Sequence, residues 1–491
     1  MSQQIKKIKY CPAGHSSEDY VYSDCKNFIR SDGICYSCTK EHFIHEFKTW
    51  SSGNANIDKI IQETQINICN KLQWIPYDNF QNIKHIAEGG HGTVHSAKLE
   101  NGIKWNWNFI NHNWEYRLIG KRVALKEIKD SSYDTVEFLN VVKVVNNFAT
   151  DHYYGISKNP STKNYIIVMD LFDDDLHDFL TKTFWNLGWD TKLSILFSIA
   201  WSLEILHEKN LVLCDLRSEN NLINHNHDFD FLDLVIDLGS FKLESDLILN
   251  FNNKNNKIYG SIPYIPPEVL RGNEFTRKGD IYSFGGIMYE IATAQRPFAD
   301  QAHDTYLIID ICNCVRPKVP DFMLNWIPEW YLDLMYRCWS DDPFKRPTAD
   351  ELAGLFCDVI EKICGNIVDN NIMRQLKIAD ENQRNTSKSQ KQELFELFSH
   401  SSKLHPQSYY ISRYIHTLHG LHDLLEEIKS GKSSGSFKLE NDLILNFNNK
   451  NNKIYGSIPY IPPELLRGNE FTRKGDIYSF GGIMFELVTA Q

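Results

Sequence analysis

The stretch LVLCDLRSEN, residues 211–220, puts apolar Leu211, Val212 and Leu213 ahead of a loop in which Asp215 and Asn220 stand five positions apart, with Arg217 between them. Whether these side chains do chemistry depends on what the rest of the chain builds around them. Upstream, NIKHIAEGGHGTVHSAKL (82–99) alternates apolar positions and is broken by glycine, the pattern of a strand, a tight turn and a second strand. The insertion NGIKWNWNFINHNWEYRLIG (101–120) follows, then the strand pattern KRVALKEI (121–128). Alternating Trp105, Trp107 and Phe109 suit an extended hairpin that packs one aromatic face. The spacing predicts a helix over VEFLNVVKVVNNF (136–148) and a buried strand over YIIVMDLF (165–172), after which long apolar-periodic segments run to about residue 360. The expected class is α+β, a small sheet-rich part preceding a larger helical one.

With 491 residues and 42% hydrophobic content, the chain can bury a full core and is too long for one average domain. Its 52 basic and 63 acidic residues give a net charge of −11, which argues against a general nucleic-acid binder and against an electrostatic membrane anchor. The start, MSQQIKKIKYCPAGH, lacks the apolar stretch of a secretory signal, and the apolar run LSILFSIAWSLEIL (193–206) is too short for a membrane span and contains Glu204. A soluble, cytoplasmic chain with neither a nucleic-acid nor a membrane partner is expected; oligomeric state is left open. Scattered cysteines suit a reducing compartment with thiols or metal rather than a disulfide framework.

Residues 1–50 hold Cys11, Cys25, Cys35 and Cys38 among His15, His42 and His45. CYSC (35–38) has the two-residue gap that lets two thiolates meet one zinc, and CPAGH (11–15) supplies a Cys and His pair. One reading is a Zn²⁺ site of Cys11, His15, Cys35 and Cys38, with Cys25 as the competing ligand. The other is a small irregular segment with unligated thiols.

IAEGGHGTVHSAK followed by VALK, then DLRSEN, IDLG and IPPE, resembles the protein kinase family in motif content and order, over about residues 83–360. The ending CWSDDPFKRPTADEL (338–352) is most similar to the tyrosine-kinase-like and tyrosine kinase branches. The resemblance implies a bilobal protein kinase fold, a small β-rich N-lobe and a larger α-helical C-lobe, with ATP in the cleft between lobes. Ile86, Ala87, Glu88, Gly89, Gly90, His91, Gly92, Thr93 and Val94 would form the loop over the phosphates, where glycine lets backbone approach without a side chain in the way. Ala124, Met169 and Leu222 would line the nucleotide site, and Lys126 would contact the α and β phosphates. Asp215 would take the proton of the acceptor hydroxyl, and Arg217 would stand near the γ phosphate. Asn220 and Asp237 would hold Mg²⁺, which prefers such oxygen donors. Glu268 would pair with Arg346, and Asp280 would anchor the backbone around Asp215.

Departures at three places support a pseudokinase reading, and the first is Ala87, where the family's glycine pattern has its first glycine. Val141 stands where the family places the Glu that pairs with Lys126, with Glu137 one helical turn earlier. Leu213 and Cys214 replace the His and Arg that precede the Asp; the lost Arg would capture a phosphate on the activation segment, so phosphorylation of Tyr259 or Ser261 is not expected to be required. The function implied is transfer of the ATP γ-phosphate to a Ser/Thr or Tyr hydroxyl of a protein substrate in intracellular signalling; the alternative is an ATP-binding or scaffold pseudokinase.

Residues 366–435 read as a polar linker with short helices, including a helical pattern in YIHTLHGLHDLLEEIKSG (414–431). Residues 239–295 recur as 435–491, differing only at Ser245 and Asn441, Val269 and Leu465, Tyr289 and Phe485, Ile291 and Leu487, and Ala292 and Val488. The second copy, 436–491 against 240–295, carries no glycine loop, Lys or catalytic Asp, has Ser433 where Asp237 stands, and stops before a partner for Glu464. A partial duplication, poorly ordered or docked, is expected rather than a second enzyme.

Overall fold

Alternation in the 80–99 and 121–128 segments becomes strands whose side chains divide between two faces. The computed structural model describes residues 9–22, 25–66, 72–89, 92–129, 131, 152–224, 233–236, 242–243, 257–365, 371–387, 389, 405, 407–408 and 410–419. They form two compact units, one of the residues before Leu180 with Ser218–Lys242, the other of Leu180–Arg217 and the residues after Lys242. The candidate helix at 136–148, with Val141 and Glu137, and the second copy at 436–491 lie outside the described residues.

In the first unit, a short pair β1 (Tyr20–Tyr22) and β2 (Cys25–Lys26) precedes helices α1 (Tyr36–Glu46) and α2 (Ala55–Ile66). Strands β3 (Gln73–Trp74), β4 (Phe80–Gly89), β5 (Gly92–Leu99), β6 (Ile103–Asn108), β7 (Asn113–Arg117), β8 (Arg122–Ile128), β9 (Tyr153–Lys158) and β10 (Tyr165–Asp170) follow. Six of them make a sheet of order β3-β9-β10-β8-β5-β4, in which only β3 runs parallel to its neighbour. One face is the core: Val123 and Leu125 of β8 and Ile166 and Val168 of β10 cluster with Phe80, Ala97 and Leu99. Each of these side chains other than Ala97 contributes roughly 1.5–3 kcal/mol on full burial. A one-residue slip would turn the whole set outward, so the register is fixed.

The insertion forms the expected hairpin, β6 with β7, and Trp107 pairs with Trp114. Its aromatic face is narrower than the alternation predicts. The register shifts between Lys104 and Asn106, and Trp105 leaves that face to lie 3.8 Å from the Arg117 guanidinium. Trp107 and Phe109 alone of the predicted trio pack on the N-terminal cluster.

The second unit is helical: α3 (Trp189–Glu208), α4 (Pro267–Arg271), α5 (Arg277–Thr293), α6 (Thr305–Cys312), α7 (Glu329–Cys338), α8 (Ala349–Cys364) and α9 (Asn371–Arg384). Helix α8 starts at a capping box, Thr348 with Glu351, which satisfies two end N–H groups. Helix α5 is buried on all sides from Gly279 to Thr293 and forms the centre of this unit. No helix among the described residues is long and apolar enough to cross a membrane. Arg346, 1% exposed, grips Glu268 with two bonds of 2.7 and 2.8 Å. Breaking such a buried pair on one side costs about 3–5 kcal/mol.

Two parts of the polar 366–435 stretch are docked on the second unit. Helix α9 turns Leu376, Ala379 and Gln383 inward, one face at helical spacing. Strand β14 (Lys257–Gly260) pairs antiparallel with β15 (Arg413–His416), so the predicted helix starting at Tyr414 begins instead as strand. Alternation decides it locally: Tyr414 is exposed, Ile415 is 2% exposed, and the paired β14 edge accepts the backbone.

Lys192 of α3 is fully buried; its Nζ donates to Gln383 Oε1 at 2.8 Å and lies 4.6 Å from the Phe184 ring centroid. Burial pushes its pKa down to about 7, against the pull of Asp380. The unfolded chain, with lysine near 10.4, therefore binds the extra proton between about pH 7 and 10. Stability from this group rises with pH through that window, by at most about 1.4 kcal/mol per unit. Urea midpoints measured from pH 7 to 9 are expected to climb, and Lys192→Met to flatten the climb; parallel curves would refute it.

Candidate active site

In the first unit, register brings the sequence-predicted nucleotide residues together. Lys126 lies between Val94 and Ile167, Ala124 between Ser96 and Met169, and Ala87 opposite Val94. Residues directly opposite in antiparallel strands point the same way. Ala87, Val94, Ala124, Lys126 and Met169 therefore share the sheet face opposite the core, with Lys126 8% exposed. Ile86 and Glu88 are exposed, and Gly89 pairs with Gly92 at the tip, Thr93 standing beside Glu88. A Cβ on Gly92 would sit 2.1 Å from the Glu127 carbonyl oxygen, so only glycine fits there. Gly90 and His91 lie outside the described residues.

Asn220 ends the short helical turn Ser218–Asn220, and Leu222 is in β12 (Asn221–Asn224), which pairs with β11 (Asp174–Asp175) and with β13 (Asp233–Ile236). Asp237, next after β13, lies outside the described residues. The amide oxygen of Asn220 and a carboxylate are hard donors of the kind Mg²⁺ takes.

In the second unit the Asp280 carboxylate, fully buried, accepts the N–H of Leu213 at 2.9 Å and of Cys214 at 3.1 Å, with His207 Nε2 at 3.0 Å. Cys214 takes a left-handed φ of 62°, a conformation that costs a non-glycine residue roughly 1–2 kcal/mol and that Asp280 holds in place. Leu213, 0% exposed, packs inside as an apolar residue. The loop so fixed presents Asp215, 8% exposed, with Arg217 Nε 3.5 Å from its Oδ1.

A residue that no motif marks completes this site. Ser412 Oγ donates to the Asp215 carboxylate, 2.7 Å from each oxygen. Arg217 Nη1 donates to the Tyr410 carbonyl at 3.2 Å. The sequence signal is weak, because tertiary contacts, the β14–β15 pairing among them, bring a segment nearly two hundred positions away to this point.

The N-terminal cysteines form a second candidate site. The ligand atoms of Cys11, His15, Cys35 and Cys38 all lie within 4.8 Å of one another. Cys11 Sγ is 3.6 Å from Cys38 Sγ, and His15 Nδ1 is 3.3 to 3.8 Å from the three sulfurs. A tetrahedron with Zn–S of about 2.3 Å and Zn–N of about 2.0 Å has edges of roughly 3.5–3.8 Å. His15 Nε2 meets Glu41 at 3.1 Å, which orients the ring, and Asn27 Nδ2 donates to Cys35 Sγ at 3.5 Å. Burial pushes the Cys35 and Cys38 thiols up, a cost that a dication would reverse. The side chain of Cys25 lies outside those described.

This module is built onto the hairpin. Trp107 stacks on His42 with centroids 3.7 Å apart, its backbone N–H donates to Thr39 Oγ1 at 3.0 Å, and Trp114 Nε1 donates to Glu46 at 2.8 Å. Gly33, at φ +103°, lets Asn108 approach where a Cβ would sit 2.3 Å from its Oδ1.

Comparison with known proteins gives consistent likenesses. The sequence pattern of the family described as protein tyrosine and serine/threonine kinase matches residues 80–356, more than half of the chain. The chain is 26% identical over 308 residues to a probable serine/threonine-protein kinase, roco5, of Dictyostelium discoideum, covering 60% of this chain and 10% of that protein. It is 26% identical over 324 residues to a protein kinase and PP2C-like domain-containing protein of Arabidopsis thaliana, 59% of this chain and 45% of that protein. A putative serine/threonine-protein kinase/receptor of Acanthamoeba polyphaga mimivirus is 27% identical over 309 residues, 62% of this chain and 16% of that protein. The chain thus spans less than half the length of each.

Proposed function

The chain belongs to the protein tyrosine and serine/threonine kinase family, and from that premise we propose that it transfers the γ-phosphate of ATP to a hydroxyl of a protein substrate. The observation that carries this reading is Asp215, buried on a loop whose backbone Asp280 pins, with both its oxygens turned to a hydroxyl. An acceptor hydroxyl at that point loses its proton to the carboxylate as its oxygen attacks. Lys126 holds the α and β phosphates, and the 86–94 hairpin covers them with backbone. Asn220 and Asp237 would hold Mg²⁺, which would supply positive charge beside the phosphates. Arg217, beside Asp215, keeps a cation near the transferred group.

The names of the relatives favour a Ser or Thr acceptor. The 338–352 ending, most similar to the tyrosine-kinase-like and tyrosine kinase branches, supports reading the chain as one of those, and cytoplasmic signalling is the setting proposed for it. The Cys11, His15, Cys35, Cys38 cluster holds one structural Zn²⁺, and the second copy at 436–491 is a partial duplicate without catalysis. Neither Tyr259 nor Ser261 needs phosphorylation: Cys214 cannot capture a phosphate, and Ser261 is 2% exposed.

The second reading, a pseudokinase, rests on Val141 in place of the partner for Lys126. Purified chain with Mg²⁺ and labelled ATP separates the two. Transfer to casein that Lys126→Met lowers by at least about tenfold is expected. Nucleotide-dependent thermal stabilisation with no transfer selects the pseudokinase.

A further inference from the structure

The segment around Ser412 lies where a protein substrate must lie if Asp215 is the proton acceptor. Its backbone adds a strand to β14 in four consecutive register pairs, from Lys257 with His416 to Gly260 with Arg413. Anchors flank the serine on both sides. Tyr410, 5% exposed, donates its hydroxyl to the Pro297 carbonyl at 3.1 Å and sets its ring edge-on to His303. On the other side, Arg413 Nη2 donates to the His303 carbonyl at 2.6 Å, and Ile415 is buried. Between them Ser412 Oγ stands 2.7 Å from both Asp215 oxygens, within reach for proton transfer.

We propose that Ser412 is an intramolecular phosphoacceptor, and that the segment 410–417 occupies the protein-substrate site of its own chain until it is phosphorylated. The proposal rests on the kinase reading above. Ser412 Oγ forms a bond to the γ-phosphorus of ATP, the bond from that phosphorus to the β,γ-bridging oxygen breaks, the hydroxyl proton goes to Asp215, and ADP leaves. The product carries nearly two negative charges where the hydroxyl touched a carboxylate. Repulsion from Asp215 at that distance, in a place where Ser412 is 7% exposed, expels the segment and opens the site to other proteins. The chain therefore starts in a self-blocked state that one turnover relieves.

The experiment follows phosphate on the full chain by mass spectrometry after addition of Mg²⁺ and ATP, over a tenfold range of protein concentration, with casein transfer read in parallel. Ser412 is expected to fill first, at a rate constant independent of concentration because acceptor and enzyme are one chain. Casein transfer should show a lag that ends as Ser412 fills. Ser412→Ala should abolish that phosphate and leave casein transfer slow, since the segment stays docked. Ile415→Asp, or the milder Tyr410→Ala, should undock it and raise initial casein transfer several-fold. Casein transfer by the wild type at full rate, without a lag, while Ser412 is still unmodified, or Ser412 filling at a rate that scales with concentration, overturns the proposal and leaves the kinase reading standing. Absence of any transfer in the wild type and in both undocking variants removes the kinase reading and this proposal together.

Discussion

Chelation of zinc from the proposed Cys11, His15, Cys35 and Cys38 site is expected to give the largest loss in this protein. Structural zinc sites contribute apparent binding free energies of about 10–16 kcal/mol, which for a small module is folding free energy. Purified chain should carry one zinc, and Cys38→Ser should lose it. Cys38 is 4% exposed and its sulfur lies 3.4 Å from His15 Nδ1 and 3.6 Å from Cys11 Sγ, within the one such cluster found among the described residues. The damage should travel into the hairpin, because Trp107 stacks on His42 and packs on the cysteine cluster. Tryptophan emission should therefore shift when a strong chelator is added. Substoichiometric zinc together with emission unmoved by the chelator would sink the site.

Asp215→Asn should lower phosphate transfer by about 10²–10⁴-fold, the usual worth of a positioned proton acceptor. The amide keeps the size of the carboxylate and can still accept from Ser412, so thermal unfolding should stay close to wild type. That pairing of results separates chemistry from folding. Transfer preserved in Asp215→Asn, at an unchanged unfolding midpoint, would show that another group takes the proton.

The two experiments address parts of the chain with different legibility. The glycine hairpin, VALK and the loop around Asp215 were readable because each needs particular residue types at short spacing. Gly92 admits no Cβ against the Glu127 carbonyl, and Ala124 and Lys126 must alternate with the core residues Val123 and Leu125. The zinc-type cluster was half readable: CYSC declares itself, whereas the choice of Cys11 and His15 required the fold to carry residue 11 to residue 38. The helix pattern written from Tyr414 begins as strand over Arg413–His416 and turns helical only at Leu418, because at its start local periodicity competes with an edge strand that the sequence does not reveal.

Sequence by itself determined the family, the α+β order of sheet before helices, the positions of the candidate lysine and aspartate, and the partners Glu268 and Arg346. Those features are carried by contiguous motifs or by period-two and period-3.6 burial, which a linear chain displays directly. Tertiary structure alone decided that α9 docks through Gln383, that Trp105 leaves the aromatic face at a register shift, and that Ser412 meets Asp215. Each depends on pairing segments far apart in the chain, where one hydrogen-bonded edge or one buried amide selects among many partners. The loop LVLCDLRSEN shows the division most plainly. Its aspartate is legible in ten residues, and the hydroxyl held against it comes from a segment that only folding brings there.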